Sequence, residues 1–363
     1  MFALRWIAFA LLTLPLLTAC GSNAVRPGSL PNSYDLDEVP LEVAAARDEL
    51  ARAEGEDVRF ALGRLDIAID TNGLSNDQQR EIQQLRTRAA QARLQELSGG
   101  EPSRTNARTL EAIAQLELPG ELAVRLTVEA ASQWLAIGER RKSYKVLKKL
   151  DEQYPLHAER LAAGSILAEA GLSLAYDTGW YGLFFDYAAL APDVLVYFTT
   201  NYPDHPRGPE AYLALSHRHE ENRRWDSAIL NHEDLILFYP NSPEAIESRA
   251  HVPRLRLAML ASPEYDRGVL VLARTELDAW LADNQDMGHP MEASVKLDRL
   301  DCIQRLADND LSVARFYDRV DNATGAQFHA RRAVELSRDG GDIKQIQEAE
   351  ALQAKVAAEG TTP

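Results

Sequence analysis

A Tyr-Pro pair that recurs at the end of helix-like stretches constrains this chain more than any other feature. The pair occurs at Tyr154-Pro155, Tyr202-Pro203 and Tyr239-Pro240, so the prolines are spaced by 48 and then 37 residues. A repeat built from two short helices has a period of about 34 residues, so each step fits one repeat plus an insertion. The stretch 224–245 shows the second helix of such a unit most clearly. We therefore predict an all-α fold, a solenoid of helical hairpins wound as a right-handed superhelix.

The same spacing predicts where the two helices of each hairpin cross. Twelve residues before each proline lies a small residue, and these residues are Ser143, Ala191 and Ala228. Small side chains at these positions let two helices approach closely. The pattern resembles the tetratricopeptide repeat, whose template adds small and aromatic positions on the first helices: Ala131 and Ser216, and Trp134 and His219.

The longer of the two steps contains an aromatic insertion. The residues by which this 48-residue step exceeds one repeat period are Asp177–Leu190. Trp180, Tyr181 and Phe184 lie close together in this stretch. One interpretation is that the insertion folds back and covers the core of the repeats. The other is that it forms an exposed contact patch for a protein partner. The sequence leaves both open.

The N-terminus predicts export and lipidation. Residues 1–19 carry a single cation followed by an apolar run that is short for a membrane span and typical of a signal peptide. The run ends in Leu17-Thr18-Ala19-Cys20, which resembles the lipobox of bacterial lipoprotein precursors. That resemblance implies lipid on Cys20 and cleavage before it, whereas an ordinary export signal with a chance cysteine is the alternative. Gly21 and Ser22, rather than Asp, favour the outer membrane, facing the periplasm.

The rest of the chain divides by composition and periodicity. Residues 20–40 hold three prolines with Gly, Ser and Asn and predict a flexible tether. A helical segment of three helices is predicted over 41–97, with Ser98–Asn106 as the boundary. Repeats are predicted over 107–341, including a helix that contains Pro253 and is expected to kink near Ala250–His251. A last amphipathic helix over 342–359 is predicted to act as a cap.

Charge and motif content argue against several functions. The formal net charge of −16 disfavours nucleic acid and basic docking on anionic lipid. His217 and His219 are two residues apart and point in different directions, so we expect no metal site, and no cofactor is predicted. Cys302, alone in a helical pattern, is predicted to be a core residue. The acids of the pairs Glu220-Glu221 and Asp308/Asp310 are predicted to be exposed charges on helix surfaces.

An enzyme is not expected. Lytic transglycosylases with a helical superhelix are the periplasmic enzymes that this chain could be confused with. Their catalytic domain uses a Glu-Ser-x-Gly motif, which can be looked for in the sequence. The one Glu-Ser pair here, Glu247-Ser248, is followed by Arg249-Ala250 inside a repeat helix. This pair therefore does not match the motif.

The C-terminal repeats resemble a specific family. The run from Arg305 to Arg319, the Ala-rich helix 326–333 and the Tyr-Pro-Asn-Ser-Pro turn at 239–243 are similar to BamD-type outer-membrane lipoproteins. The resemblance is best over 202–336. It implies a subunit of the machinery that folds β-barrels into the outer membrane, where such proteins scaffold the barrel-forming subunit.

The sequence thus predicts a lipid-anchored, periplasm-facing scaffold that binds protein partners, including a barrel-assembly subunit and barrel precursors. We expect the protein to contact the bilayer through acyl chains on Cys20. An adaptor that organises other cell-envelope or peptidoglycan proteins is the alternative. Stacked hairpins present a concave groove in which partner segments are expected to lie. Tyr317 is a further candidate for this groove, with a core position as its alternative. The candidate partner-contact residues are Trp180, Tyr181, Phe184, Tyr212 and His219.

Overall fold

The fold is all-α, as predicted from the repeats. The computed structural model describes residues 25–52, 55–176, 190–260, 266–285 and 287–359, and this part of the chain contains helices and no strand. Most of these helices pack mainly against a neighbouring helix along the chain. The helices are α1 Val39–Arg52, α2 Gly55–Ile69, α3 Asn76–Ser98, α4 Arg104–Ala114, α5 Gly120–Ala136, α6 Arg140–Gln153, α7 Arg160–Ala175, α8 Ala191–Asn201, α9 Gly208–Glu221, α10 Trp225–Phe238, α11 Pro243–Met259, α12 Arg267–Asp283, α13 Glu292–Arg319, α14 Ala323–Gly340 and α15 Ile343–Glu359.

The chain forms two compact units, Met1–Ile166 and Leu167–Pro363, and the division falls within α7. Among the described helices, none combines the length and apolar character needed to cross a bilayer. Cys20 and most of the aromatic insertion, residues 177–189, lie outside the described residues.

In the first unit an apolar core runs from the N-terminal segment through α5. The three helices predicted over 41–97 are present as α1 to α3. Helix α3 begins with a capping box, in which Ser75 and Gln78 satisfy each other's free backbone amides. Large apolar side chains of α2 to α5, such as Leu65, Ile82 and Leu126, are buried completely or nearly so.

The tether predicted over 20–40 is wrong for its described part. Val25 and Tyr34 are buried and belong to the core of the first unit. Arg26 donates from Nε to Asp66 Oδ2 over 2.8 Å, which fixes the segment to α2. A Cβ at Gly63 would lie 2.5 Å from Leu30, so this glycine makes room for the segment. The proline-rich composition of this segment predicted a flexible chain. Composition alone does not show which side chains of a segment are buried.

The predicted boundary at 98–106 is a short connector between α3 and α4. The apolar core includes residues on both sides of it, among them Leu97 and Leu110. Gln133 from α5 spans the connector, since its Nε2 donates to Leu97 O and its Oε1 accepts from Ser103 N, each over 3.2 Å. The connector therefore lies within the first unit.

The helix crossings occur at the small residues that the spacing picked out. Ser143, Ala191 and Ala228 are all fully buried. In the α5–α6 hairpin, Ser143 Oγ donates to the backbone oxygen of Ala131 over 2.8 Å. Because Ala131 is the small position predicted on the first helix, this bond joins the two predicted crossing positions directly.

The three Tyr-Pro turns have the same local structure. Tyr154, Tyr202 and Tyr239 follow α6, α8 and α10, with φ/ψ of −137°/69°, −129°/52° and −132°/55°. The amide of each tyrosine donates to the carbonyl four residues earlier, over 2.7, 2.8 and 2.9 Å respectively. A residue before proline is disfavoured in the helical conformation, so the proline ends the helix at this point. The repeat read from the sequence is therefore present in the backbone.

Two of these tyrosines also close their own hairpins. A Cβ at Gly120, at the start of α5, would lie 3.3 Å from Tyr154 Cε1. A Cβ at Gly208, at the start of α9, would lie 2.1 Å from Tyr239 Oη. Both glycines thus leave space in the first helix for the ring that follows the second helix.

The second unit continues the pairing of successive helices from α8 to α15. Helix α11 contains Pro253, as the sequence predicted, and runs through it as one helix. Helix α12 begins at Arg267 after the N-cap Asp266. The predicted C-terminal helix is present as α15. Cys302 is fully buried and donates from Sγ to Leu270 O over 3.1 Å, and its burial raises the pKa of the thiol to about 11. Its predicted place in the core is confirmed.

Candidate functional site

Histidine and glutamate side chains from three successive helices meet in the second unit. We call them the histidine–glutamate cluster: His217 and Glu220 from α9, His232 from α10, and Glu247 and His251 from α11. Residues three or four apart share one face of a helix, so α9 and α11 each bring one histidine and one glutamate to the same place. The hairpin repeat then brings the two pairs together.

Glu220 is the centre of the cluster. Its Oε1 lies 2.9 Å from His232 Nε2 and 3.0 Å from His251 Nδ1. Burial by itself raises the pKa of Glu220, but the hydrogen bonds with the two histidines outweigh it and hold the pKa well below its usual range. Glu220 is therefore a carboxylate at neutral pH.

His251 lies between two carboxylates. Its Nε2 is 3.6 Å from Glu247 Oε1, while its Nδ1 faces Glu220. Burial favours the neutral imidazole, but the attraction of the nearby Glu220 and Glu247 carboxylates prevails and raises the pKa of His251 above its ordinary value. Burial lowers the pKa of His232, whose Nδ1 lies 2.8 Å from Ser248 Oγ.

His217 completes the cluster. Its Nε2 is buried and lies 3.6 Å from Glu247 Oε1, and none of the residues that the structure describes forms a hydrogen bond with this nitrogen. Burial, followed by the charge on His251, lowers the pKa of this histidine. Its ring centroid is 5.2 Å from that of His251. The cluster therefore offers a neutral imidazole nitrogen next to carboxylates, which is a donor set suited to a cation.

Sequence reasoning missed this cluster. From the sequence, His217 was considered only as a metal-binding pair with His219, two residues away, and Glu220 was predicted to be an exposed charge. That prediction is wrong, because Glu220 is hydrogen-bonded to two histidines, whereas its neighbour Glu221 is exposed. The spacings His217–Glu220 and Glu247–His251 were the available signal, since both place two donors on one helix face.

Two of the predicted partner-contact residues lie in the described part of the chain. Tyr212, on α9, is half-buried with its ring centroid 6.3 Å from Phe238 and 6.1 Å from Tyr239. His219 is half-buried, and burial and then Arg224 lower its pKa. The two residues lie seven positions apart on α9, about 10 Å along the helix axis. Trp180, Tyr181 and Phe184 fall outside the described residues.

Helix α10 carries an exposed apolar surface next to Tyr212. We call Leu230, Leu237 and Phe238 the α10 apolar strip, and their exposed fractions are 62%, 71% and 59%. Residues seven and eight positions apart lie on the same side of a helix, so the three side chains share one face. The opposite side of α10, including Ala228 and Leu235, is buried.

A second group of charges in this unit surrounds Asp310. Asp310 is fully buried in α13, with Oδ2 2.9 Å from Arg267 Nη1 and Oδ1 2.7 Å from His329 Nδ1. The prediction that Asp310 is a surface charge is therefore wrong, although Asp308 is exposed. Tyr317 stacks on His329 with centroids 5.7 Å apart, so it contributes to packing between α13 and α14.

Comparison with known proteins gives no family for the chain. No protein-family model matches the sequence, and no curated protein matches it significantly.

Proposed function

We propose that this protein is a lipid-anchored, periplasm-facing scaffold of helical hairpins that binds protein partners in the assembly of β-barrel proteins into the outer membrane. The observation that supports partner binding is the exposed α10 apolar strip beside Tyr212. The resemblance of residues 202–336 to BamD-type lipoproteins supports the choice of partner, and the lipobox-like sequence at Cys20 supports the anchor.

The α10 apolar strip has the chemistry of a protein contact. Each large apolar side chain that passes from water into an interface contributes about 1.5–3 kcal/mol. Such contacts concentrate in a few residues, with aromatic side chains enriched among them. Phe238 and Tyr212 supply two aromatic rings beside the two leucines. A partner segment with apolar side chains at helical spacing would bury all four together.

The α10 apolar strip tests the proposed function directly. We expect the double substitution Leu230→Glu and Leu237→Glu to abolish co-purification of the barrel-assembly partner, because two charges would have to be buried in the interface. The fold should persist, since both side chains are exposed in the free protein. The measurement is affinity purification from membranes, with circular dichroism of the purified variant.

The matched control is Leu161→Glu in α7, whose side chain is 65% exposed. We expect this variant to retain the partner. If the double variant co-purifies with the same barrel-assembly partner as the unmodified protein, the strip is not the contact. If the unmodified protein brings down only cell-wall enzymes, the assignment to barrel assembly is wrong and the adaptor alternative replaces it.

The anchor is tested by Cys20→Ala. We expect this substitution to move the protein from the membrane fraction to the soluble fraction, because the lipid attachment point is lost. Several acyl chains on one residue would give stable anchoring, whereas a single chain is marginal. Fractionation with immunoblotting measures the shift, and Ser22→Ala serves as a control that keeps the cysteine. Retention of Cys20→Ala on the membrane at the original level would refute a lipid anchor at this residue.

A further inference from the structure

The histidine–glutamate cluster contains nitrogen and oxygen atoms that could act as metal ligands. His217, Glu220 and His251 each offer one ligand atom, and these atoms lie within 4.8 Å of one another. We propose that these three residues form a binding site for a divalent late transition metal ion, best matched by Zn²⁺, which connects α9 with α11. This inference is independent of the partner and anchor proposed above.

The donor set favours this class of ion. Imidazole nitrogen suits zinc, copper and nickel, whereas magnesium and calcium prefer sites made of oxygen ligands. Two histidines with one glutamate are a known combination for zinc with an open fourth position. Zinc bonds of 2.0–2.1 Å in a tetrahedron place neighbouring donors about 3.3 Å apart. The ligand atoms of the three side chains lie within 4.8 Å of one another, so small side-chain rotations would be enough to bring them to that spacing.

His217 gives an independent indication of a ligand. Within the described part of the chain its buried Nε2 has no hydrogen-bond partner, although buried polar atoms in proteins are nearly always paired. The atom lies 3.6 Å from Glu247 Oε1, which is longer than a hydrogen bond. A metal ion would use this nitrogen's lone pair.

The surrounding groups could complete and orient the site. Glu247 Oε1 lies 3.6 Å from both His217 Nε2 and His251 Nε2, so it is placed to supply a fourth donor. His232 holds the Glu220 carboxylate through its Nε2, and Ser248 in turn fixes the His232 ring. Hydrogen bonds of this kind commonly orient metal ligands and raise their affinity.

An ion at this position would join two consecutive hairpins. Helix α9 belongs to one hairpin and α11 begins the next, and the two helices also pack against each other. A ligand that binds the folded state and not the unfolded state raises the melting temperature as its concentration increases. Zinc is therefore expected to stabilise the second unit.

The test uses the full-length chain, stripped with EDTA and exchanged into chelator-free buffer. Isothermal titration with ZnCl₂ should give saturable binding of one ion per chain, with a concentration-dependent rise in melting temperature. MgCl₂ at the same concentrations should produce neither effect. Absence of saturable zinc binding would refute the site, and so would an equal response to magnesium.

A pair of variants locates the ion. His217→Gln should weaken zinc binding about tenfold or more, because it removes one ligand. It should leave the metal-free fold intact, since His217 Nε2 makes no hydrogen bond with any residue that the structure describes. The control His219→Gln, on the same helix two residues away, should bind zinc as the unmodified chain does. Should His217→Gln keep full affinity, or His219→Gln lose it equally, the assignment to this cluster is wrong.

If His217→Gln proves unstable, His251→Gln provides a second removal of one ligand. It should show the same loss of zinc affinity with an intact helical signal. Binding that survives this variant unchanged would equally overturn the site.

Discussion

Replacing Trp134 with alanine is expected to destabilise the protein by about 3–5 kcal/mol, the largest effect of any single substitution proposed for this chain. The side chain is fully buried in α5 and is among the largest fully buried ones. Its indole Nε1 donates to the Glu111 carboxylate in α4, and Lys142 Nζ lies 4.0 Å from the ring centroid. Alanine would leave a cavity and remove both contacts.

Urea denaturation followed by circular dichroism would measure the loss in Trp134→Ala. The control is Leu156→Ala, because Leu156 is 89% exposed in the turn after α6, and we expect it to change stability by less than about 0.5 kcal/mol. Trp134→Phe should retain most of the stability because it fills most of the volume. An alanine variant with an unchanged midpoint would mean that Trp134 is not a core residue of the first unit.

The second large effect is expected at Asp310. Asp310→Asn should destabilise the second unit by about 3 kcal/mol, because it removes the negative charge that Arg267 and His329 face at 2.9 and 2.7 Å. Arg332 Nε, 3.7 Å away, would also lose its counter-charge. Removing one partner of a buried ion pair is costly because the remaining charge is left uncompensated.

Thermal unfolding measures this prediction, with a fall of roughly 6–12 °C expected for a unit of this size. Asp301→Asn is the matched control on the same helix, since Asp301 makes a surface pair with Arg305 four residues later. Such pairs contribute about 0.3–0.5 kcal/mol, so the control should unfold close to the unmodified protein. Equal effects of the two substitutions would contradict a special role for the buried charge.

Local features were predictable from the sequence. The Tyr-Pro pairs end α6, α8 and α10 because a residue before proline avoids the helical conformation. The same spacing predicted small residues where the helices cross. These residues, including Ser143 and Ala228, are buried. Both features lie within a single helical hairpin. The spacing of residues within a hairpin recurs along the sequence, so these features can be read from it.

Features that depend on contact between separate helices were not predictable in the same way. The charges of α13 suggested a solvated surface, but Asp310 is buried because α12 and α14 both pack against this helix. The histidine–glutamate cluster requires α9 and α11 to lie side by side. The N-terminal segment looked like a tether because composition alone does not show that Val25 packs into the core.

The central claim, that this chain is a scaffold for barrel assembly, is tested most directly by crosslinking in intact cells. A photoreactive residue in place of Leu237, in the α10 apolar strip, should capture a barrel protein with periplasmic repeat domains, because this side chain is exposed and lies beside Phe238 in the sequence. The same residue in place of Leu161 should not capture it. Capture of cell-wall enzymes alone at Leu237, or of no protein, would contradict the claim.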